Sequence, residues 1–265
     1  MDTSKPMLVD YEFSWHKIKP CTDSRKEPVI LVACGLFDPL TYDHLSTDPA
    51  VFDTATQWLH ENSKFEVCGG YLSPAPDAPY QPADLAGAEY RVDMCRLGTE
   101  DHGLLMVDSW EARHQDEVTT PTLMDHFRDE VRRVYYNNPG LRNAHPRKLV
   151  AKVILLAGID INAPMSDHCE WPQEDVAKTV KNYLAIIIQR PGTDLTEIKS
   201  GLRPYAGNLS VVATTNTSEV ESQQLKGLPE DKQLQKIPPK VLSYRQDYVG
   251  CGRRNHLAGS LASHS

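Results

Sequence analysis

No run in the 265 residues approaches the 18 or more apolar positions of a membrane span. The longest, such as 29–34 (VILVAC), are strand-sized. Positive charge is also short: 28 Lys and Arg against 36 Asp and Glu leave a formal charge of -8. A nonspecific nucleic-acid binder sets many cations against phosphates and is therefore not expected. The N-terminus has no apolar stretch of signal-peptide length before the charged residues 23–27. Six cysteines (21, 34, 68, 95, 169, 251) show no close pairing, so neither a secreted disulfide framework nor a zinc knuckle is expected, and no metal ligand is assigned. They read as reduced, mostly buried thiols of an intracellular protein, cytoplasmic with the nucleus as alternative. No internal repeat occurs. What remains is a chain 40% hydrophobic and 24% charged, able to bury a sizeable core.

The organisation follows from the apolar runs. Residues 1–27 are polar and broken by Pro6 and Pro20, an arm ordered around Tyr11, Phe13 and Trp15. The strand 28–34 (PVILVAC) is apolar throughout, as a parallel strand covered on both faces requires. Further strands are expected at 65–71, 104–107, 149–157, 184–189 and 209–213. Helices are expected at 50–61, 85–98, 119–134, 173–181 and 238–247, and 135–148 reads as a loose, turn-rich insertion. Strands alternating with helices at this spacing mean an α/β fold with one parallel sheet and helices on both faces. The domain is bounded as 28–248, with a flexible tail at 249–265. Residues 73–84 hold four of the 19 prolines and form a loop directly after a strand end, where open α/β sheets place ligand-binding segments.

The segment Gly35-Leu36-Phe37-Asp38-Pro39-Leu40-Thr41-Tyr42-Asp43-His44 follows the first strand. Gly35 admits a ligand to the strand end, and Thr41 and His44, three apart, share one face if a helix starts there. Backbone N–H groups plus a histidine donor suit a phosphate; a plain strand–loop–helix junction is the alternative. The chain here resembles the eukaryotic, particularly fungal, nicotinamide/nicotinic acid mononucleotide adenylyltransferases. Their opening motif, Gly-Ser-Phe-(Asn/Ser)-Pro-Ile-Thr-x-x-His-Leu-Arg, matches Gly35 to Ser46. FEVCGGYLSP (65–74), YRVDMCRL (90–97), LLMVDSWE (104–111), KVILLAGID (152–160), Trp171 and IPPKVLSYRQDY (237–248) follow in the family's order.

The resemblance implies a Rossmann-like open sheet of the nucleotidyltransferase type. It implies His44, Thr41 and Asp160 as catalytic residues; Asp38 and Asp43, on the same loop as His44, are rivals to Asp160 for orienting His44 or the substrate. Gly35, Leu36, Phe37, Arg91, Gly158, Asp160 and Trp171 would line the nucleotide site, Trp171 stacking on a pyridine ring. Structural readings stand beside these: Arg91 as a helix-face cation, Trp171 as a core aromatic, Asp160 as a turn residue. Against the family pattern, Ser46 replaces an arginine, Leu36 a serine and Leu104 a ring-facing tryptophan. Ile159 replaces the alanine or glycine of the Gly-(Ala/Gly)-Asp turn. The loop 74–84 has no lysine; none occurs between Lys64 and Lys148. No arginine falls between Arg203 and Arg245, where the family has a late one.

These losses lead to a first expectation of a repurposed enzyme, acting on a small molecule in the inherited cleft, in specialised metabolism. An apolar cavity of Leu36, Leu104 and Ile159 would favour it. The alternatives are a genuine adenylyltransferase, using His44 and replacement cations such as Arg91 or Arg113, and a non-catalytic binding or chaperone-like protein. ATP and Mg²⁺ are the cofactors implied if the ancestral activity is retained, and otherwise none is named. The expected partner is a small-molecule substrate, with no nucleic acid, no membrane, and a homo-oligomer left open.

Overall fold

The computed structural model describes residues 11–38, 40–41, 51–77, 85–115, 118–159, 173–189, 207–213, 229, 232 and 235–246. Six parallel strands make one sheet among them: β1 (Glu27–Gly35), β2 (Phe65–Pro74), β3 (Leu105–Val107), β4 (Lys152–Ile159), β5 (Leu184–Gln189) and β6 (Leu209–Ala213). Their order is β3-β2-β1-β4-β5-β6. The chain thus fills one side of β1 and then crosses to build the other, the doubly wound order with a reversal between β1 and β4.

Alternation along β1 divides the core. Val29 and Leu31 enter one apolar cluster with Phe52, Ala55 and Leu59 of α1 (Val51–Asn62) and Val92 and Cys95 of α2 (Ala88–Thr99). Ile30 and Val32 enter the other, with Leu123, Phe127, Val131 and Tyr135 of α3 (Thr120–Asn137) and Val180 of α5 (Gln173–Asn182). A helix at 239–246 joins the first cluster through Val241 and Leu242, its Tyr244 ring stacked on Tyr90 at 4.8 Å. Both faces of the strand are covered, which is why 28–34 carries no polar alternation. No described helix is long and apolar enough to cross a membrane.

Two expectations change. The stretch 135–148 is not a loose insertion: α3 runs to Asn137, α4 (Pro139–Asn143) follows, and His145 is buried. The apolar face Leu123, Phe127, Val131, Tyr135 repeats every fourth residue, whereas exposed Tyr136 and the asparagines disguise the helix end. The fourth strand begins at Lys152 rather than 149, because its ladder with β1 starts at Val29↔Lys152.

Residues 11–26 lie along the sheet. Phe13 is 1% exposed and packs on Tyr71 and Phe127, while Trp15 is 40% exposed. Lys17 Nζ donates to the carbonyls of Thr99, Glu100 and Leu105, closing the C-terminus of α2.

Gly70 shows how tightly α1 sits on β2: a Cβ there would lie 2.0 Å from Phe52 Cε2. Gly70→Ala should therefore lower stability by about 1–3 kcal/mol, the usual cost of overpacking. Chemical denaturation checks it, and Phe52→Leu in the same chain should recover part of the loss.

Candidate functional site

The ladder between β1 and β4 stops early. They pair from Val29↔Lys152 to Val32↔Leu155 and no further. Beyond that point β1 continues only with β2, to Gly35↔Pro74, and β4 only with β5, to Ile159↔Gln189. The central strands part at their carboxyl ends, and burial follows: residues 29–32 of β1 are fully buried, whereas 33–36 are partly exposed. A crevice at this reversal of strand order is where open α/β sheets take ligands. Gly35 and Leu36 lie at its β1 side, with Phe37 beside Gly35, and the backbone of Gly158 lies at its β4 side.

The loop after β1 is held firmly. Phe37 has φ 50°, in the left-handed region that costs a bulky residue of the order of 1–3 kcal/mol. Burial of its ring, 6% exposed, offsets that strain. Its ring would lie 3.7 Å from a Cβ at Gly35, an ordinary contact, so packing does not require glycine there. Arg91 is buried completely and turned inward. Its guanidinium donates to the carbonyls of Leu36, Ala86 and Pro76 and to Asp77 Oδ1 at 3.0 Å. Asp77 in turn accepts from Ala88 N and caps α2, while Asp38 Oδ2, itself buried, accepts from Ala86 N. Arg91 thus ties the β1 loop, the β2 loop and the start of α2 together. It is neither a surface cation nor, in this arrangement, a group facing the crevice. Thr41 is likewise buried, at 2% exposure.

A second cluster stands at the carboxyl ends of β2 and β3. Asp108 accepts from Tyr11 at 2.8 Å through Oδ1 and meets His126 Nε2 at 2.8 Å through Oδ2. Burial, then the Asp108 charge, pushes the Tyr11 hydroxyl far above its ordinary range, so it stays a donor. Trp110 lies flat on His126, rings 4.1 Å apart and 7° from parallel. Buried Glu111 accepts from the Ser73 hydroxyl at 2.5 Å. Arg113 follows, 3.9 Å from Glu89 and with its buried Nε lacking a hydrogen bond.

The family pattern expects an aromatic at 104, whereas the aromatic of this segment is Trp110. Leu104 precedes β3 and its carbonyl accepts from Gly70 N, so it lies at the amino end of that strand, away from the crevice. It cannot join Leu36 and Ile159 in an apolar lining, and that expectation is withdrawn. The signal for Trp110 was the motif Val107-Asp108-Ser109-Trp110-Glu111, whose order along the chain places it just past a strand end.

His44, Asp160 and Trp171 lie outside the described residues, as do Asp43, Ser46, the tail 249–265 and the segment 214–225. The described carboxylates of Asp38 and Asp77 in the loops after β1 and β2, and of Asp108 in the second cluster, are engaged with protein donors. These described carboxylates form no dedicated cage for Mg²⁺, which usually takes only one or two carboxylates and keeps several waters. Cys21, Glu66 and Cys68 meet elsewhere, toward the amino end of β2.

The reversal of strand order and the parted strands define an open α/β protein of the doubly wound, Rossmann-like type. The chain belongs to the nicotinamide/nicotinic acid mononucleotide adenylyltransferase family. It is 30% identical to the member from Arabidopsis thaliana over 204 residues, 76% of this chain and 79% of that one. It is 37% identical to adenylyltransferase 2 of Saccharomyces cerevisiae over 190 residues, 71% of this chain and 46% of the relative. With the Schizosaccharomyces pombe member it shares 31% over 224 residues, 83% and 59% of the two chains. The match therefore spans only about half the length of these yeast relatives. The fold is similar to the nicotinic acid mononucleotide adenylyltransferase of Plasmodium falciparum solved with NaAD, with TM-score 0.52, 15% identity, and 84% of this chain and 96% of that one covered. No protein-family model matches.

Proposed function

We propose that the chain transfers the adenylyl group of ATP to a pyridine mononucleotide, in the crevice between β1 and β4. The observation that carries this reading is the 30% identity across 79% of the Arabidopsis adenylyltransferase. It favours the genuine transferase over the repurposed enzyme, for which neither the relatives nor the described geometry offers support beyond the missing cations.

In this reaction an oxygen of the mononucleotide phosphate attacks the α-phosphorus of ATP. A P–O bond forms as the bond to the β-phosphate bridge breaks, and pyrophosphate leaves. Mg²⁺, when bound, neutralises phosphate charge. Gly35 leaves the strand end bare, so phosphate oxygens can approach the backbone, and Arg91 keeps that loop in place through Leu36. His44, nine residues on, is the donor to the phosphates. Arg113, incompletely paired near the same edge, is the described cation best placed to replace a lost one. Trp171 is the aromatic offered to a flat ring, since Trp110 is already stacked on His126.

The test is direct. Titration calorimetry with Mg²⁺-ATP and with nicotinamide mononucleotide separately should show both ligands binding, and together they should yield dinucleotide and pyrophosphate. Gly35→Ala should weaken ATP binding at unchanged Tm, because its Cβ meets only an ordinary contact inside the protein. Binding of neither ligand would overturn the proposal and return the protein to the repurposed or non-catalytic readings.

A further inference from the structure

A ligand cluster that the crevice does not use lies where the N-terminal arm crosses β2. Cys21, Glu66 and Cys68 bring two thiols and a carboxylate together, with one ligand atom of each within 4.8 Å of the others. Both cysteines are 1% exposed. We propose that these three residues bind a divalent, thiolate-preferring cation of the Zn²⁺ class, and that the ion clamps the arm to the sheet.

Three independent features support it. The first is backbone register. The ladder runs Val29↔Val67 and then Ile30↔Gly69, so Cys68 is the extra residue of a bulge in β2. Bulges re-aim a side chain, and this one serves the cysteine. The second is the carboxylate. Glu66 accepts from Thr22 N, Thr22 Oγ1 and Asp23 N, which fixes it, and Cys21 Sγ points at its Oε2 from 3.2 Å. An ion taking the place of the thiol proton would be bridged by two groups already aimed at one another. The third is Tyr135. Its hydroxyl is fully buried, lies beside Cys68, and has no hydrogen bond of good geometry. A buried hydroxyl without a partner calls for an explanation, and an ion held by the neighbouring thiols is one. A protonated thiol is a poor acceptor, whereas a metal-bound thiolate is a good one. Tyr135 would then donate to the Cys68 sulfur and orient it, as groups around metal ligands commonly do.

The donor set selects the ion. Two thiolates and one carboxylate suit Zn²⁺, while Mg²⁺ and Ca²⁺ take oxygen ligands. Burial raises both thiols, Cys21 to about 12, so the metal-free pair is protonated and each ion bound releases two protons to solvent. The chain separation of 47 positions between the cysteines is why no zinc spacing shows in the sequence.

The experiment uses the full chain, reduced and stripped of metal, with Co²⁺ alone as the spectroscopic probe. One equivalent should give thiolate-to-cobalt charge-transfer absorption, Zn²⁺ should abolish it by displacement, and Tm should rise with added Zn²⁺. The absorption should vanish in Cys21→Ser and in Cys68→Ser, and stay in Cys34→Ser, Cys95→Ser, Cys169→Ser and Cys251→Ser. Tyr135→Phe should weaken binding about 10–100-fold without lowering the Tm of the metal-free protein. Should Cys68→Ser fail to fold, Cys21→Ser and Glu66→Gln carry the test from the arm and the strand start. No absorption in the parent chain, absorption that survives Cys21→Ser, or a Cys21–Cys68 disulfide in place of bound metal in protein purified without reductant would each overturn the proposal.

Discussion

Arg91→Met should cost about 3–5 kcal/mol of stability, the range for removing one partner from a buried charged network. The methionine fills much of the volume but donates to nothing. The carbonyls of Leu36, Ala86 and Pro76 would lose the donor that now reaches them inside the protein, and a buried unpaired acceptor is costly. Urea denaturation measures the loss, with the m-value unchanged if the sheet remains intact. Asp77→Asn is the control. Its side chain is 61% exposed, so its ion pair with Arg91 contributes within about 1 kcal/mol. Equal losses in the two variants would show that the ion pair, not the carbonyl grip, holds the loop. Ligand affinity should fall in Arg91→Met even where the protein remains folded, because the loop after β1 would no longer be held at Leu36.

The second large effect concerns rate. The family pattern places an arginine where this chain has Ser46, a lysine in the loop 74–84, and a late arginine in a region that here runs without one from Arg203 to Arg245. Transfer of a phosphoryl-type group depends on neutralising the charge that moves. Removing one such donor commonly lowers kcat about 10²–10³-fold. Dinucleotide synthesis by the present chain should therefore run well below the ordinary turnover of about 1–10³ s⁻¹. Ser46→Arg should raise kcat about 10²-fold with a smaller change in ATP affinity, since the added charge acts most strongly on the transition state. His44→Ala should remove the remaining activity at unchanged Tm. Steady-state and single-turnover kinetics separate these outcomes. A parent chain already turning over in the ordinary range would mean that another cation, Arg113 first, has taken over the task. Arg113→Met would then abolish the activity.

Strands and helices were readable from local pattern because each faces a demand met within a few residues. A strand covered on both faces must be apolar through its buried length, and 28–34 and 184–188 are. Those strands alternating with amphipathic helices suffice for the sheet and its parallel sense. The end of α3 is hidden in the sequence, since buried Tyr135 is followed by exposed Tyr136 and two asparagines that read as a turn. The segments from Gly35 to Tyr248 that resemble the adenylyltransferases named the family to which the chain belongs.

Other features depend on residues far apart in the chain, and only the tertiary arrangement decides them. Where β1 and β4 part is a matter of how far each ladder extends, and both strands remain apolar through the split. Arg91 looks the same in sequence whether it faces solvent, a phosphate or three carbonyls; the loops folded over it decide. Leu104 and Trp110 are six residues apart, yet β3 between them carries one to the amino end of the sheet and the other to the carboxyl end. Cys21 and Cys68 meet because the arm lies across β2 and a one-residue bulge turns the second thiol toward the first. Local pattern reports how much of a residue is buried, whereas partners are set by register and long-range packing, which no short window of sequence contains.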